Sequence, residues 1–192
     1  MTWPFLYFAG ERLSDAELRA ARLDGDVVEI GEAFMPADAV ETRELRAGSL
    51  RDLAGARLAL THETAAWVHG VLDDPPARHC VQRCVPARPH HVLDRRLRYR
   101  DLRLPERDGM RIAGVTVTTP ERTLVDLLRD RVLREGGDDA AVRALIAWRP
   151  GLVSDALAWL ETAGPVQHKR AATDYLRRLP SRGLRAVPST TT

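Results

Sequence analysis

The sequence predicts an α+β protein: a helix-and-hairpin element at the N-terminus, a small, mostly antiparallel sheet with flanking helices in the middle, and a helical C-terminal region. Three observations carry this. A capped helix signal precedes two short β-prone runs near the start; the hydrophobic period switches to two from Arg78; and it returns to the helical period after Pro120. The implied segmentation is 1–57, 58–135, 136–180 and an unstructured tail over 181–192.

In LSDAELRAARLDG, Ser14 followed by Glu17 reads as a capping box and Gly25 as the stop, predicting one helix of about ten residues. Val27 to Ile30 and Ala33 to Pro36 are β-prone runs separated by Gly31 and Glu32, the spacing of a tight hairpin. Helix followed by hairpin is the second half of a winged-helix unit. Leu45, Leu50 and Leu53 space a helix over 42–54, with Gly48 against it, and a short helix runs from Thr61, as N-cap, to His69, closed by Gly70. RHCVQRCVP, RLRYRDLRLP and MRIAGVTVT then read as three strands. TTPERTLVDLLRDRV is the clearest helix, with Thr119 as cap, Pro120 at the first helical position and an apolar stripe through Leu124, Val125, Leu127, Leu128 and Val132. Further helices are expected over Asp138 to Trp148, Ser154 to Thr162 with Ser154 as cap, and Gln167 to Leu179.

Charge narrows the classes of partner. The net +2 divides into −7 over residues 1–77, +6 over 78–135 and +3 over 136–192, so a polyanion would meet the central segment first. Arginine supplies all but one of the basic residues, the exception being Lys169. In RRLRYRDLR, if Leu97 and Tyr99 face the core, then Arg96, Arg98 and Arg100 line the other face about 6.5–7 Å apart, a spacing that suits phosphates. Arg103 extends this comb, and the broken register after Asp101 predicts a bulge. These four arginines are the candidate DNA-binding residues. The alternative is a strand kept soluble by charge.

Other chemistry finds less support. His79, Cys80, Cys84, His90 and His91 gather ligand-type side chains without a recognised metal-site spacing, and no metal or cofactor is expected. On one strand the two cysteines would lie about 13 Å apart, too far to bridge, which suits a reducing compartment. Thr61, His62, Glu63 and His69 lack a partner nucleophile, and capping and packing explain them. A metal-dependent nuclease would have to draw on Asp94, Asp101, Glu106 or Asp108, but no Glu-x-Lys signature accompanies them. GxxxxGK is absent, excluding that route to nucleotide hydrolysis. No apolar run approaches the roughly 20 residues of a membrane helix, so a cytoplasmic protein without membrane partners is expected.

THETAAWVHG, RHCVQRCVP and GVTVTTPERTLVDLLRD together resemble the actinobacterial branch of the AbiEi-type antitoxins of type IV toxin-antitoxin (abortive infection) systems. The resemblance rests on Thr64, Ala65, Ala66 and Gly70 in a helix, and on Val117, Thr118, Glu121, Arg122, Thr123 and Asp126 at a helix start, and it covers roughly residues 13–135. It implies a non-catalytic protein with a winged helix that binds operator DNA to repress its own operon. It further implies a C-terminal domain that neutralises a partner toxin of the nucleotidyltransferase type. In the family, helices usually precede the one ending here at Gly25, so a shortened winged helix is expected. Its acidic residues Asp15, Glu17, Asp24, Asp26, Glu29 and Glu32 oppose phosphate binding. DNA contact would then fall to the basic strand. A nuclease-like enzyme and a protein-interaction module without DNA binding are the alternatives.

Overall fold

The computed structural model describes residues 5–89, 94–133 and 140–179. The chain forms two compact units, Met1–Thr119 and Pro120–Thr192. The division falls inside the 58–135 segment drawn from the sequence, between the last strand and the helix that follows it.

The first unit opens with α1 (Asp15–Asp24), held by a complete capping box. Glu17 accepts from the Ser14 amide and from the Ser14 hydroxyl at 2.7 Å each, which lowers its carboxyl below the ordinary range, and the Ser14 hydroxyl accepts from the Glu17 amide at 3.3 Å. Gly25 ends the helix at φ +84°, where L side chains are disfavoured. The antiparallel hairpin of β1 (Val27–Ile30) and β2 (Ala33–Pro36) follows, closed by Gly31 and Glu32, and Tyr7 bridges Phe34 on its free edge. The helix expected over 42–54 is two: α2 (Arg43–Ser49) and α3 (Arg51–Ala54), broken at Leu50. Gly48 supports a helix poorly, and the Ser49 hydroxyl bonds back to the Arg46 carbonyl at 2.8 Å, competing with the helical ladder.

Seven strands are described, where the sequence suggested five. In the second sheet the order is β5 (Leu97–Arg103), β4 (His79–Arg83), β3 (Leu58–Leu60), β7 (Val115–Thr118), β6 (Gly109–Ile112). The central strand β3 was not legible because its three residues are all buried and show no alternation. MRIAGVTVT, read as one strand, is the β6–β7 hairpin. Ala113 and Gly114 both have positive φ, as a two-residue primed turn requires, and the alternation runs through the turn unbroken. The sheet is mixed rather than mostly antiparallel: β3–β4 and β6–β7 are antiparallel, β3–β7 and β4–β5 parallel. Helix α4 (His62–Val68) packs on β4 and β7, and the core gathers Ile30, Met35, Leu50, Leu60, Trp67, Val81 and Val117.

The second unit is helical: α5 (Pro120–Leu133), α6 (Ala140–Trp148), α7 (Leu152–Thr162) and α8 (Lys169–Arg178). Helix α7 starts at Leu152, after Gly151 in left-handed backbone and two residues before the expected start, so Ser154 lies inside it and does not cap it. The expected start of α6 at Asp138 and the 181–192 tail lie outside the described residues.

Candidate functional site

The arginine comb sits on β5, an edge strand of the five-stranded sheet. Leu97 is buried and Tyr99 packs against the core, so alternation turns Arg98 and Arg100 to the opposite face, in register with Cys80 and Gln82 of β4. The register then shifts: Gln82 faces Arg100 while Arg83 faces Arg103, leaving Asp101 and Leu102 as the expected bulge. Asp101 anchors it, accepting from Arg83 at 3.2 Å, Arg88 at 2.8 Å and the Tyr99 hydroxyl at 3.2 Å.

The four arginines are not equivalent. Arg96, just before the strand, is gripped by Asp94 (Nη2 to Oδ2 2.6 Å) and by Glu32 from the β1–β2 turn. Its guanidinium pulls the Asp94 carboxyl down to about 2. Arg98 and Arg100 are half-buried and lie near Cys80, while Arg103 is exposed at the far end of the bulge. Beside Arg96 opens a cleft of about 840 Å³ whose lining includes Glu29, Glu32, Asp52 and Asp94. Acidic groups therefore meet the comb at its N-terminal end.

The residues quoted for the family resemblance form packing junctions. The Thr64 hydroxyl accepts the Cys80 amide at 2.8 Å, tying α4 to β4, and Ala65 and Ala66 are fully buried, small enough to let helix and sheet approach closely. Gly70 lies at φ +84° after the helix, and His69 Nε2 bonds the Thr118 carbonyl at 2.8 Å, fixing the end of α4 to β7. Thr61 stands at the N-cap position, but its hydroxyl meets His62 Nδ1 at 2.8 Å instead of capping the helix. His62, at φ +52°, opens the helix in strained backbone. In the second unit Asp126, fully buried, accepts from Arg122 at 2.8 Å and from Arg129 at 3.0 Å, and the Arg122 guanidinium lies 5.4 Å from the Trp159 ring. Glu121 pairs with Arg149 at 2.5 Å, and Thr123 is fully buried.

The metal and carboxylate constellations are not assembled. His79 and Cys80 are neighbours on β4 and project to opposite faces. The Cys80 thiol donates to Glu63 at 3.4 Å, and burial together with that carboxylate pushes it up to about 12. Cys84 contacts the Ala56 carbonyl, and both thiols are free. His90 and His91 lie outside the described residues, among which no group of three His, Cys, Asp or Glu side chains could hold a metal. Asp94 precedes β5 while Asp101 lies at its bulge, and Glu106 and Asp108 stand in the short 3-10 turn before β6. The sequence reading missed Arg46, which donates to the carbonyls of Trp67 and Leu72 at 2.6 Å each and so caps the end of α4. It weighed His79 only as a metal-ligand type and missed its surroundings: the ring is buried against Trp67 with Nε2 3.7 Å from Glu32, and no local pattern signals either contact.

The family model of the AbiEi antitoxin C-terminal domain matches residues 55–176, well over half of the chain. The chain belongs to this AbiEi antitoxin family. The match begins beside β3 and runs into α8, so the AbiEi region takes in the whole five-stranded sheet and the C-terminal helices, beyond the 135 at which the sequence resemblance stopped. Membership carries an antitoxin role and with it a toxin partner. A crystal structure of the RV2827C protein from Mycobacterium tuberculosis is 19% identical with a TM-score of 0.34, covering 85% of this chain and 70% of that one. No curated protein matches the AbiEi chain. Among its described residues no helix is long and apolar enough to cross a membrane.

Proposed function

We propose that this AbiEi-family protein is a non-catalytic cytoplasmic antitoxin that neutralises a toxin of the nucleotidyltransferase type and represses its own operon by binding operator DNA. The family match over residues 55–176 carries the reading. Helix α1 followed by the β1–β2 hairpin supports a winged-helix element, and the comb of Arg96, Arg98, Arg100 and Arg103 supports contact with phosphates. A protein-interaction module without DNA binding is favoured by one observation: Asp94 and Glu32 already engage Arg96, at the acid-lined cleft.

Fluorescence anisotropy of the full chain against its own upstream DNA and a scrambled duplex, at several salt concentrations, tests the DNA arm. The proposal expects preference for the upstream fragment, and the substitutions Arg98→Ala, Arg100→Ala and Arg103→Ala together should flatten the salt slope by up to about three units, one per lost phosphate contact. Co-expression with a toxin of the nucleotidyltransferase type tests the toxin arm: restored growth supports neutralisation, and undiminished toxicity refutes it.

A further inference from the structure

The cleft of about 840 Å³ in the first unit, between the β1–β2 hairpin and the start of β5, has no part in the contacts assigned so far. Its size is that of a small-molecule site, about 300–1,000 Å³. Five carboxylates line it: Asp15 at the start of α1, Glu29 on β1, Glu32 in the hairpin turn, Asp52 on α3 and Asp94 before β5. One guanidinium, that of Arg96, opposes them. The lining is layered. Phe34, Leu53, Leu58 and Leu97, buried or half-buried, form an apolar floor, while Asp15, Glu29 and Asp52 stand exposed at the rim. Each rim carboxylate is paired only at the surface, Asp15 with Arg19 at 2.8 Å, Glu29 with Arg22 at 3.0 Å and Asp52 with Arg51 at 3.4 Å. Pairs with such exposed carboxylates contribute little, so an incoming cation can take the arginine's place.

A second observation points to a cation with N–H donors. The His79 side chain, 6% exposed, has no hydrogen-bond partner at Nδ1, and its Nε2 stands 3.7 Å from Glu32 Oε1, beyond hydrogen-bond reach. His79 is in register with Leu97, so both side chains share one face of the sheet, and the ring is aimed at the Glu32 carboxylate in the cleft wall. Burial holds down its affinity for a proton, leaving a neutral ring with an acceptor nitrogen that no donor meets. Buried polar groups are rarely left so. The arrangement also selects the shape of the cation. A divalent metal requires convergent oxygens, whereas these carboxylates come from five separate elements, and among the described residues no group of three could hold a metal. An extended cation, its charges separated by methylene stems, reaches several carboxylates at once and covers the floor between them.

We propose that this cleft binds a linear aliphatic polyamine, with its ammonium groups at Glu32 and the rim carboxylates and its methylene stems on Phe34, Leu53, Leu58 and Leu97. An ammonium carries three donors, enough to engage Glu32 and the unpartnered His79 ring together. The site lies wholly within the first unit, and it depends on neither the DNA arm nor the toxin arm of the function proposed above.

The test is isothermal titration calorimetry of the full chain at low salt with spermidine, with a ladder of unbranched diamines from diaminopropane to diaminooctane, and with magnesium chloride. Spermidine should bind with one-to-one stoichiometry. Along the ladder, affinity should rise by up to about fourfold per added methylene, the effect of burying one CH₂ on an apolar floor. The double variant Glu29→Gln, Asp52→Asn tests the rim. Both side chains are exposed, so the melting temperature of the free chain should be unchanged, while spermidine affinity should fall about fivefold per lost carboxylate, the effect of a unit charge about 4 Å away in water. Absence of spermidine binding at millimolar concentration overturns the inference. So does equal affinity for every diamine, or magnesium binding as tight as spermidine, since either reduces the cleft to a diffuse acidic surface. Undiminished spermidine binding in the double variant also overturns it, by placing the ligand elsewhere. Tighter binding of a short peptide of alternating arginine and leucine than of spermidine does the same, by assigning the cleft to a protein partner.

Discussion

Replacing Gly31 by alanine should be among the most damaging single-methyl changes in the first unit. Gly31 closes the β1–β2 hairpin at φ +53°, and a Cβ there would lie 2.4 Å from Ser49 Oγ, 3.1 Å from Leu50 Cδ2 and 3.2 Å from the Trp67 ring. Ser49 cannot step aside freely, because it is fully buried and its hydroxyl is held by the Arg46 carbonyl at 2.8 Å. The left-handed backbone costs an alanine about 1–2 kcal/mol, and forcing a methyl into a filled core costs about 1–3 kcal/mol. Together Gly31→Ala should destabilise by about 2–5 kcal/mol. Gly114 provides the internal standard: it sits at φ +80° in the β6–β7 turn, where an added Cβ would meet nothing within 4 Å, so Gly114→Ala should cost only the backbone share. Urea unfolding followed by far-UV circular dichroism, with tryptophan emission recorded in parallel, measures both. A Gly31→Ala cost no larger than that of Gly114→Ala would refute the packing argument.

Asp126→Ala in α5 leaves the largely buried side chains of Arg122 and Arg129 without their shared carboxylate and should cost about 3–5 kcal/mol by the same denaturation assay; a cost below about 1 kcal/mol would show that solvent replaces the pair. His79 is buried, which lowers its affinity for a proton, with Glu32 partly opposing and Arg96 reinforcing the shift. Below its ordinary value of 6.5 the unfolded chain therefore binds more protons than the folded one, and stability should fall as pH drops through that region. His79→Gln should flatten this stretch of the stability profile, and an unchanged profile would remove His79 from the account. A thiol-titrating disulfide reagent at pH 8 should modify Cys84 but not Cys80, whose thiol is held up to about 12, with both reacting after denaturation; rapid reaction of two thiols in the native protein would contradict the burial of Cys80.

Local signals in the sequence carried the elements whose stabilisation is local. The Ser14–Glu17 capping box, the Gly25 stop and the Gly31–Glu32 turn each work within a few residues, and α1 and the first hairpin fall where those residues predict. The bulge at Asp101 was legible too, because a register break shows in the alternation itself. What failed was non-local. Strand β3 is three buried residues whose identity as the sheet's centre depends on partners far along the chain, and the parallel pairings of β3 with β7 and β4 with β5 leave no mark in any single stretch. The comb was read correctly as alternating, yet nothing near Arg96 announces Glu32, 64 positions away, as its counterion.

The position of β3 sets a timetable for biosynthesis. This strand completes its pairing only when Val117 arrives to lie beside Leu60, and 56 residues must be polymerised in between. At about 5–20 residues per second, that interval is about 3–11 seconds. Throughout it, one flank of the most apolar strand in the sheet is an open template for the wrong neighbour, and its wait ends with the hairpin that precedes α5. Ribosome pausing before residue 118 would lengthen the exposure and faster elongation would shorten it, so the yield of folded protein should respond to codon choice between β3 and β7 more than to codon choice elsewhere in the gene.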